Sequence, residues 1–180
     1  MSPTMDTDSK SLLTRLLNRD DARRRSIVER LRGGTIVFTN GVFDVLHRGH
    51  IEYLQEAHRL GNRLFVGLNS DASVRRIKGP QRPLVNEQDR AVALLALRSV
   101  DFVVLFDDDT PAELIETIQP HILVKGGDYH ADDVVGADFV RAHGGKVVTI
   151  PFRDGYSTSA LIDEIVERYA DSCLKTSHHA

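Results

Sequence analysis

Five short apolar runs, at residues 35–38, 63–68, 102–106, 122–124 and 146–151, alternate along the chain with longer stretches of helical period. This alternation constrains the fold more than any other feature. Strand, helix, strand at this spacing is a βαβ unit, and repeated units build a parallel sheet with helices on both faces. The first run holds the unbroken apolar stretch Ile36–Val37–Phe38, as a strand buried on both faces should. The expected fold is α/β: a Rossmann-like single domain with a parallel five-stranded sheet. The length of 180 residues fits one such domain.

The remaining stretches divide the chain further. Residues 1–10 read as disordered. Residues 11–32 read as helix, with one apolar stripe at Leu12, Leu13, Leu16 and Leu17 and another at Ile27, Val28 and Leu31, and the charged run between them reads as a bend or a second helix start at Asp20. The expected division is an N-terminal helical segment (1–32), the α/β domain (33–170) and a flexible tail (171–180). Two roles are open to the helical segment: covering a sheet edge or joining a homodimer interface. Residues 72–88 are polar and contain Gly79–Pro80 and Pro83, so a long ordered connection is expected there. Asn86 with Asp89 marks a helix start. At Thr110–Pro111–Ala112–Glu113 another is expected, with Thr110 as cap and Glu113 completing a capping box. Helices are expected over 131–143 and 157–169, the latter with Leu161, Ile162, Ile165 and Val166 inward.

Charge and composition exclude several classes. A formal net charge of −3 leaves no basic footprint for nucleic acid. No apolar run approaches the roughly 18 residues of a membrane span. The opening MSPTMDTDSK lacks the order of a signal peptide, so the expected location is the cytoplasm. Cys173 is the single cysteine, which forbids an intramolecular disulfide, and it reads as a bystander in a polar tail. His178 and His179, adjacent in that tail, make a poor metal cage.

Chemistry is expected at the carboxyl edge of the sheet, where open parallel sheets bind ligands. Four connections leave that edge rich in phosphate-binding groups. The first carries His47 and His50, with Gly49 between them, where a strand hands over to a helix. Unpaired N–H groups and the helix dipole favour an anion there, and a glycine lets the backbone approach it. The second carries Arg75, Arg76, Lys78 and Arg82. The third carries Lys125–Gly126–Gly127–Asp128, and the fourth Ser157–Thr158–Ser159. Each alone has a plain structural reading. A histidine or serine can merely cap a helix, two arginines can be solvated, and two glycines can be a turn. Asp44 can bond its own backbone. Convergence of all four on one edge favours function. No P-loop, no G-x-G-x-x-G after the first strand, no Cys/His zinc cluster and no G-x-S-x-G elbow is present.

The run Thr39–Asn40–Gly41–Val42–Phe43–Asp44, followed by His47-x-Gly49–His50, resembles the first signature of the cytidylyltransferase-like nucleotidyltransferases. Residues 69–79, with Arg82–Pro83 and Asp89–Arg90, are similar to the narrower group of heptose 1-phosphate adenylyltransferases. Residues 124–129 and 157–162 fit the same group. The resemblance runs from about 35 to 165 and makes 33–170 a nucleotidyltransferase domain. It implies adenylyl transfer from ATP to D-glycero-D-manno-heptose 1-phosphate, giving ADP-heptose for lipopolysaccharide, with Mg²⁺ accompanying ATP and no metal ligands from the protein. It implies His47, His50 and Lys78 as catalytic residues. Thr39, Asn40, Gly41, Phe43, Asp44, Gly49, Gly126, Asp128, Ser157, Thr158 and Ser159 are implied around the nucleotide. Arg75, Arg82, Arg90 and Lys125 are implied around the sugar phosphate.

There are departures. Glycerol-phosphate cytidylyltransferases carry an arginine where Phe152 stands, with Arg153 one place later. Bifunctional heptose enzymes carry a sugar kinase ahead of this domain; here only the short helical segment is read, so the kinase step is expected elsewhere. Two other readings remain: a cytidylyltransferase for a small alcohol phosphate such as glycerol 3-phosphate, and a nucleotide-binding regulator without turnover.

Overall fold

The computed structural model describes residues 12–127, 130–151 and 155–176, with 170–176 as backbone only. Asp128, Phe152, Arg153, His178, His179 and the Cys173 side chain, together with residues 1–10, lie outside the described residues. In chain order the elements are β1 (Leu16–Leu17), α1 (Arg19–Leu31), β2 (Ile36–Gly41), α2 (Arg48–Arg59), β3 (Arg63–Asn69), α3 (Asp71–Lys78) and α4 (Glu87–Leu95). There follow β4 (Phe102–Phe106), α5 (Ala112–Ile118), β5 (Ile122–Gly126), α6 (Ala137–Ala142), β6 (Lys146–Ile150) and α7 (Thr158–Thr176).

All pairings are parallel, and the strand order is β1-β4-β3-β2-β5-β6. Side chains alternate across each strand, so Ile36 and Phe38 enter one layer while Val37 enters the other. The first layer packs Phe65, Val104 and Leu123 against Leu114, Ile115 and Ile118 of α5 and Val140 of α6. The second packs Leu64, Val66, Leu68 and Val103 against Leu54 and Ala57 of α2 and Leu94 and Leu95 of α4. Helices therefore cover both faces, as expected of an α/β sheet.

The chain winds outward from β2 in one direction through β3 and β4, then returns to place β5 on the other side of β2. This reversal is a topological switch point. β2 pairs with β3 along its full length, through Gly41 and Leu68, and β5 pairs with β6 through Gly126 and Ile150. Between β2 and β5 the register covers only Val37–Ile122 and Phe38–Leu123. Beyond those pairs the two strands part, and their carboxyl ends frame a crevice.

The sheet has six strands, not five. Leu16 and Leu17 pair with Val103 and Val104, inside the first apolar stripe of the stretch read as helix. Leucines at 12, 13, 16 and 17 mimic a helical stripe, and a two-residue strand is too short to show a period of two. Arg15 anchors the segment by donating Nη1 to Val100 O at 2.9 Å, and α1 starts only at Asn18, whose side chain accepts from Asp21 N at 2.8 Å. The segment covers a sheet edge, one of the two roles left open for it.

Other boundaries shift for local reasons. Ser70 accepts from Ser73 N at 3.0 Å and starts α3 within the expected loop, because Pro80 and Pro83 forbid helix only after Gly79. α5 has Pro111 at its cap position with no side-chain cap, so the capping box does not form. Glu113 instead receives Arg19 Nη1 at 2.8 Å. The helix expected over 131–143 is only Ala137–Ala142. In α7, Ile165 and Val166 are 50% and 59% exposed, not inward, and the helix continues to Thr176. Among the described residues no helix is long and apolar enough to cross a membrane.

Candidate active site

A cavity of about 510 Å³ opens where β2 and β5 part. Asn40 and Gly41 form its β2 wall, Lys125 and Gly126 its β5 wall. His50 enters from α2, Lys78 and Arg82 from the α3 end and the loop after it, and Ser157, Thr158 and Ser159 from the start of α7. All four expected connections thus reach one cavity.

The β2–α2 connection is shaped around two rings. Phe43 sits at φ 47°, a left-handed conformation that costs a bulky residue on the order of 1 kcal/mol or more. Gly41 makes room for it: a Cβ there would stand 3.0 Å from the Phe43 ring. Phe43 then meets His50 edge-on at 5.3 Å between centroids. His47 occupies the position before α2 without capping it, and its ring stacks on His50 at 3.9 Å. The Nδ1 atoms of both histidines are buried with no hydrogen-bond partner among the described residues.

This packing keeps both imidazoles neutral. Burial, then the neighbouring His47, pushes His50 down to about 4, with a backbone contact at Val45 opposing. Burial lowers His47 as well. Each ring is thus held as a neutral group with one N–H to donate. The same shift ties stability to pH. The unfolded chain takes up protons at His50 as pH falls through 6.5, while the folded chain resists until about 4. Stability is therefore full above pH 6.5 and lost across that window. His50→Asn is expected to flatten this acid slope, read as urea midpoints at neutral pH and at about pH 5. An unchanged slope contradicts the assignment.

Opposite the histidines the cavity is cationic. Burial, and then the charge of Lys78, lowers Lys125 below its ordinary value. Two ammonium groups therefore face one space.

Asp44 and Arg90 hold the loop that joins α3 to α4. Asp44, with a fully buried side chain, accepts Arg82 Nε at 2.6 Å, Leu84 N at 2.8 Å and Val85 N at 2.9 Å. Burial favours its neutral form, but these donors outweigh that and keep its carboxyl below the ordinary value. Arg90, 1% exposed, donates Nε to Val85 O at 2.9 Å, Nη1 to Val42 O at 2.5 Å and Nη2 to Asn69 O at 2.9 Å. Its Nη2 also pairs with Asp71 Oδ1 at 2.7 Å. One guanidinium thus binds three segments that meet at the cavity.

The expected site residues divide accordingly. Asn40, Gly41, Phe43, Asp44, His50, Lys78, Arg82, Lys125, Gly126 and Ser157 to Ser159 line the cavity. His47 backs His50, and Gly49 is buried beneath. Thr39 lies below the floor, 2.5 Å from the Tyr53 hydroxyl, whose titration burial raises to about 12 against that hydrogen bond. Arg75 is exposed and does not line the cavity. Arg90 does not line it either; its donors are spent on the protein itself. Sequence reasoning missed Asp109, Thr110 and Pro111, which bring a fifth connection to the wall, and Tyr53, Asn69, Ile77 and Val135. The rule that strand ends gather at one edge could have found the fifth connection, which had been read only as a helix cap. Among the described residues no group of three or more His, Cys, Asp or Glu side chains is placed to hold a metal ion.

A doubly wound parallel sheet, open at its switch point onto imidazole, ammonium and helix-start groups, defines an α/β protein with a crevice at the carboxyl edge, where such sheets bind ligands. The chain belongs to the cytidylyltransferase-like family, whose model matches residues 38–164. It is 55% identical over 92% of its length to the bifunctional protein HldE of Syntrophotalea carbinolica, and 52% identical over 92% to that of Trichlorobacter lovleyi. It spans 33% of the length of each of these relatives. Among solved structures, a lipopolysaccharide core biosynthesis protein from Thermoplasma volcanium is 30% identical with a TM-score of 0.56, over 69% of this chain and 100% of that one. Pantoate–β-alanine ligase from Francisella tularensis, 14% identical with a TM-score of 0.55 over 80% of this chain and 68% of that one, shares the fold alone.

Proposed function

We propose that this chain transfers the adenylyl group of ATP to D-glycero-D-manno-heptose 1-phosphate, giving ADP-heptose and pyrophosphate. The observation that carries the reading is the convergence of His50, Lys78, Lys125 and the start of α7 where β2 and β5 part. Similarity to the HldE proteins, and to the lipopolysaccharide core biosynthesis protein, supports the sugar side of the reading.

A phosphate oxygen of the sugar attacks the α-phosphorus of ATP. A new P–O bond forms, the bond to the β-phosphate oxygen breaks, and pyrophosphate leaves with the electron pair. The nucleophile is already anionic, so no activated serine or cysteine is needed. Catalysis is placement plus stabilisation of developing charge. His50, held neutral and braced by His47, donates to the phosphates as charge moves outward. Lys78 and Lys125 bind the β- and γ-phosphates. Backbone N–H groups at Gly41 and at the first turn of α7 receive the α-phosphate. Mg²⁺ would accompany ATP and would supply positive charge against the phosphates, beside Lys78 and Lys125.

The test is pyrophosphate release from ATP and CTP against heptose 1-phosphate and glycerol 3-phosphate. ATP with the heptose is expected to win, by at least about tenfold in kcat/KM over CTP, because a base-specific hydrogen bond is usually worth more than that. Faster release from CTP with glycerol 3-phosphate overturns the heptose assignment. Binding of ATP with no release from any pair makes the protein a regulator.

A further inference from the structure

We propose that Tyr156 is a positioning residue that fixes the first turn of α7 against the histidine pair. The observation behind this is a ladder of four rings. Phe43 meets His50 at 5.3 Å, His50 stacks on His47 at 3.9 Å, and Tyr156 continues the stack beyond His47 at 6.2 Å and 30°. The ladder runs from the buried Phe43 to the surface, and Tyr156 is its outer rung, 39% exposed.

Tyr156 is fastened to the first turn of α2 at more than its ring. A Cβ on Gly49 would stand 3.0 Å from Tyr156 Cβ and 3.2 Å from the His47 ring. The missing Cβ is what lets Tyr156 rest on α2. The Arg48 guanidinium, on the same turn of α2, is held by Glu52 Oε1 at 2.7 Å. Next in sequence come Ser157, Thr158 and Ser159, all in the cavity wall. Thr158 Oγ1 reaches Val45 O at 3.4 Å, a second and weaker tie to the same connection. Tyr156 thus sets the distance between two walls that no strand pairing holds together, since β2 and β5 have already parted. A half-exposed ring adds little to the core, so its placement matters more than its burial.

The kinetic arm rests on the adenylyl-transfer reading; a second arm does not. Misplacing a catalytic group by about an ångström costs up to roughly a hundredfold. Tyr156→Ala is expected to lower kcat about tenfold with KM for ATP changed less than about twofold, and Tyr156→Phe, which keeps the ring on His47, to recover most of the loss. The second arm is an NMR titration of the His47 ring in the free protein. With Tyr156 removed, His47 gains solvent and its titration moves up towards 6.5; in Tyr156→Phe it stays low. Tyr156→Leu replaces Tyr156→Ala if that variant does not fold. An unmoved His47 titration in the alanine or leucine variant overturns the proposal, as does native kcat. If the unaltered protein turns over no ATP, the functional reading falls and the titration alone decides Tyr156.

Discussion

His50→Ala is expected to lower kcat by about a hundredfold or more, the scale of losing one preorganised donor to a transition state. The ring lines the cavity, and in the proposed reaction it is the donor to the phosphates. Phe43 and His47 confine it from two sides, and burial holds it neutral with a titration near 4. Nothing has to reorganise when charge develops in front of it. The fold should survive, since His50 is only half-buried at the mouth of a cavity. The measurements are pyrophosphate release and a thermal melt on the same preparation. A variant that unfolds, with full activity in whatever remains soluble, makes His50 a packing residue.

Arg90→Met is expected to have the largest effect on stability, about 3–5 kcal/mol, the usual cost of breaking a buried, fully bonded charge by removing one partner. The Val42, Asn69 and Val85 carbonyls lose a common donor, and Asp71 loses its cation. Arg90→Lys should rescue little, because an ammonium cannot span the directions that a planar guanidinium covers. Urea denaturation reads the loss. The alternative carried by family resemblance, a substrate-binding arginine, predicts a raised KM and near-native stability. A loss under about 1 kcal/mol removes Arg90 as a brace.

The sequence was most legible where a single segment carries its own signal. The apolar runs mark five of the strands, and the spacing of His47, Gly49 and His50 marks the first connection without help from distant residues. The stretch around Leu16 misled because the pattern that makes β1 lies in the edge of β4, not in its own two residues. Asp44, Arg82 and Arg90 stood out as polar residues in conspicuous places, but sequence could not show that they serve the protein's own loop. Asp44 and Arg82 are 38 positions apart, and Arg90 and Val42 are 48. Nor could periodicity show that β2 and β5 separate after two paired residues, which is what creates the cavity. The ring contact between His47 and Tyr156 joins segments more than twice as remote in the chain.

The opposite edge of the sheet has its own charged assembly. Buried Glu29 meets Arg25 at 3.0 Å and Arg63 at 3.3 Å, and Arg63 continues to Asp101 at 3.2 Å, which His58 also approaches at 3.3 Å. These groups gather where strands begin, so a full strand length separates them from the cavity. For a selection experiment this amounts to two independent dials. Substitutions at Glu29, Arg63 or Asp101 should change how long the protein lasts in the cell without altering what each surviving molecule does. A variant library sorted by abundance and by turnover should therefore split along the sheet, with the strand starts tracking abundance and the cavity-lining side chains at the strand ends tracking turnover, while the brace Arg90 sorts with abundance.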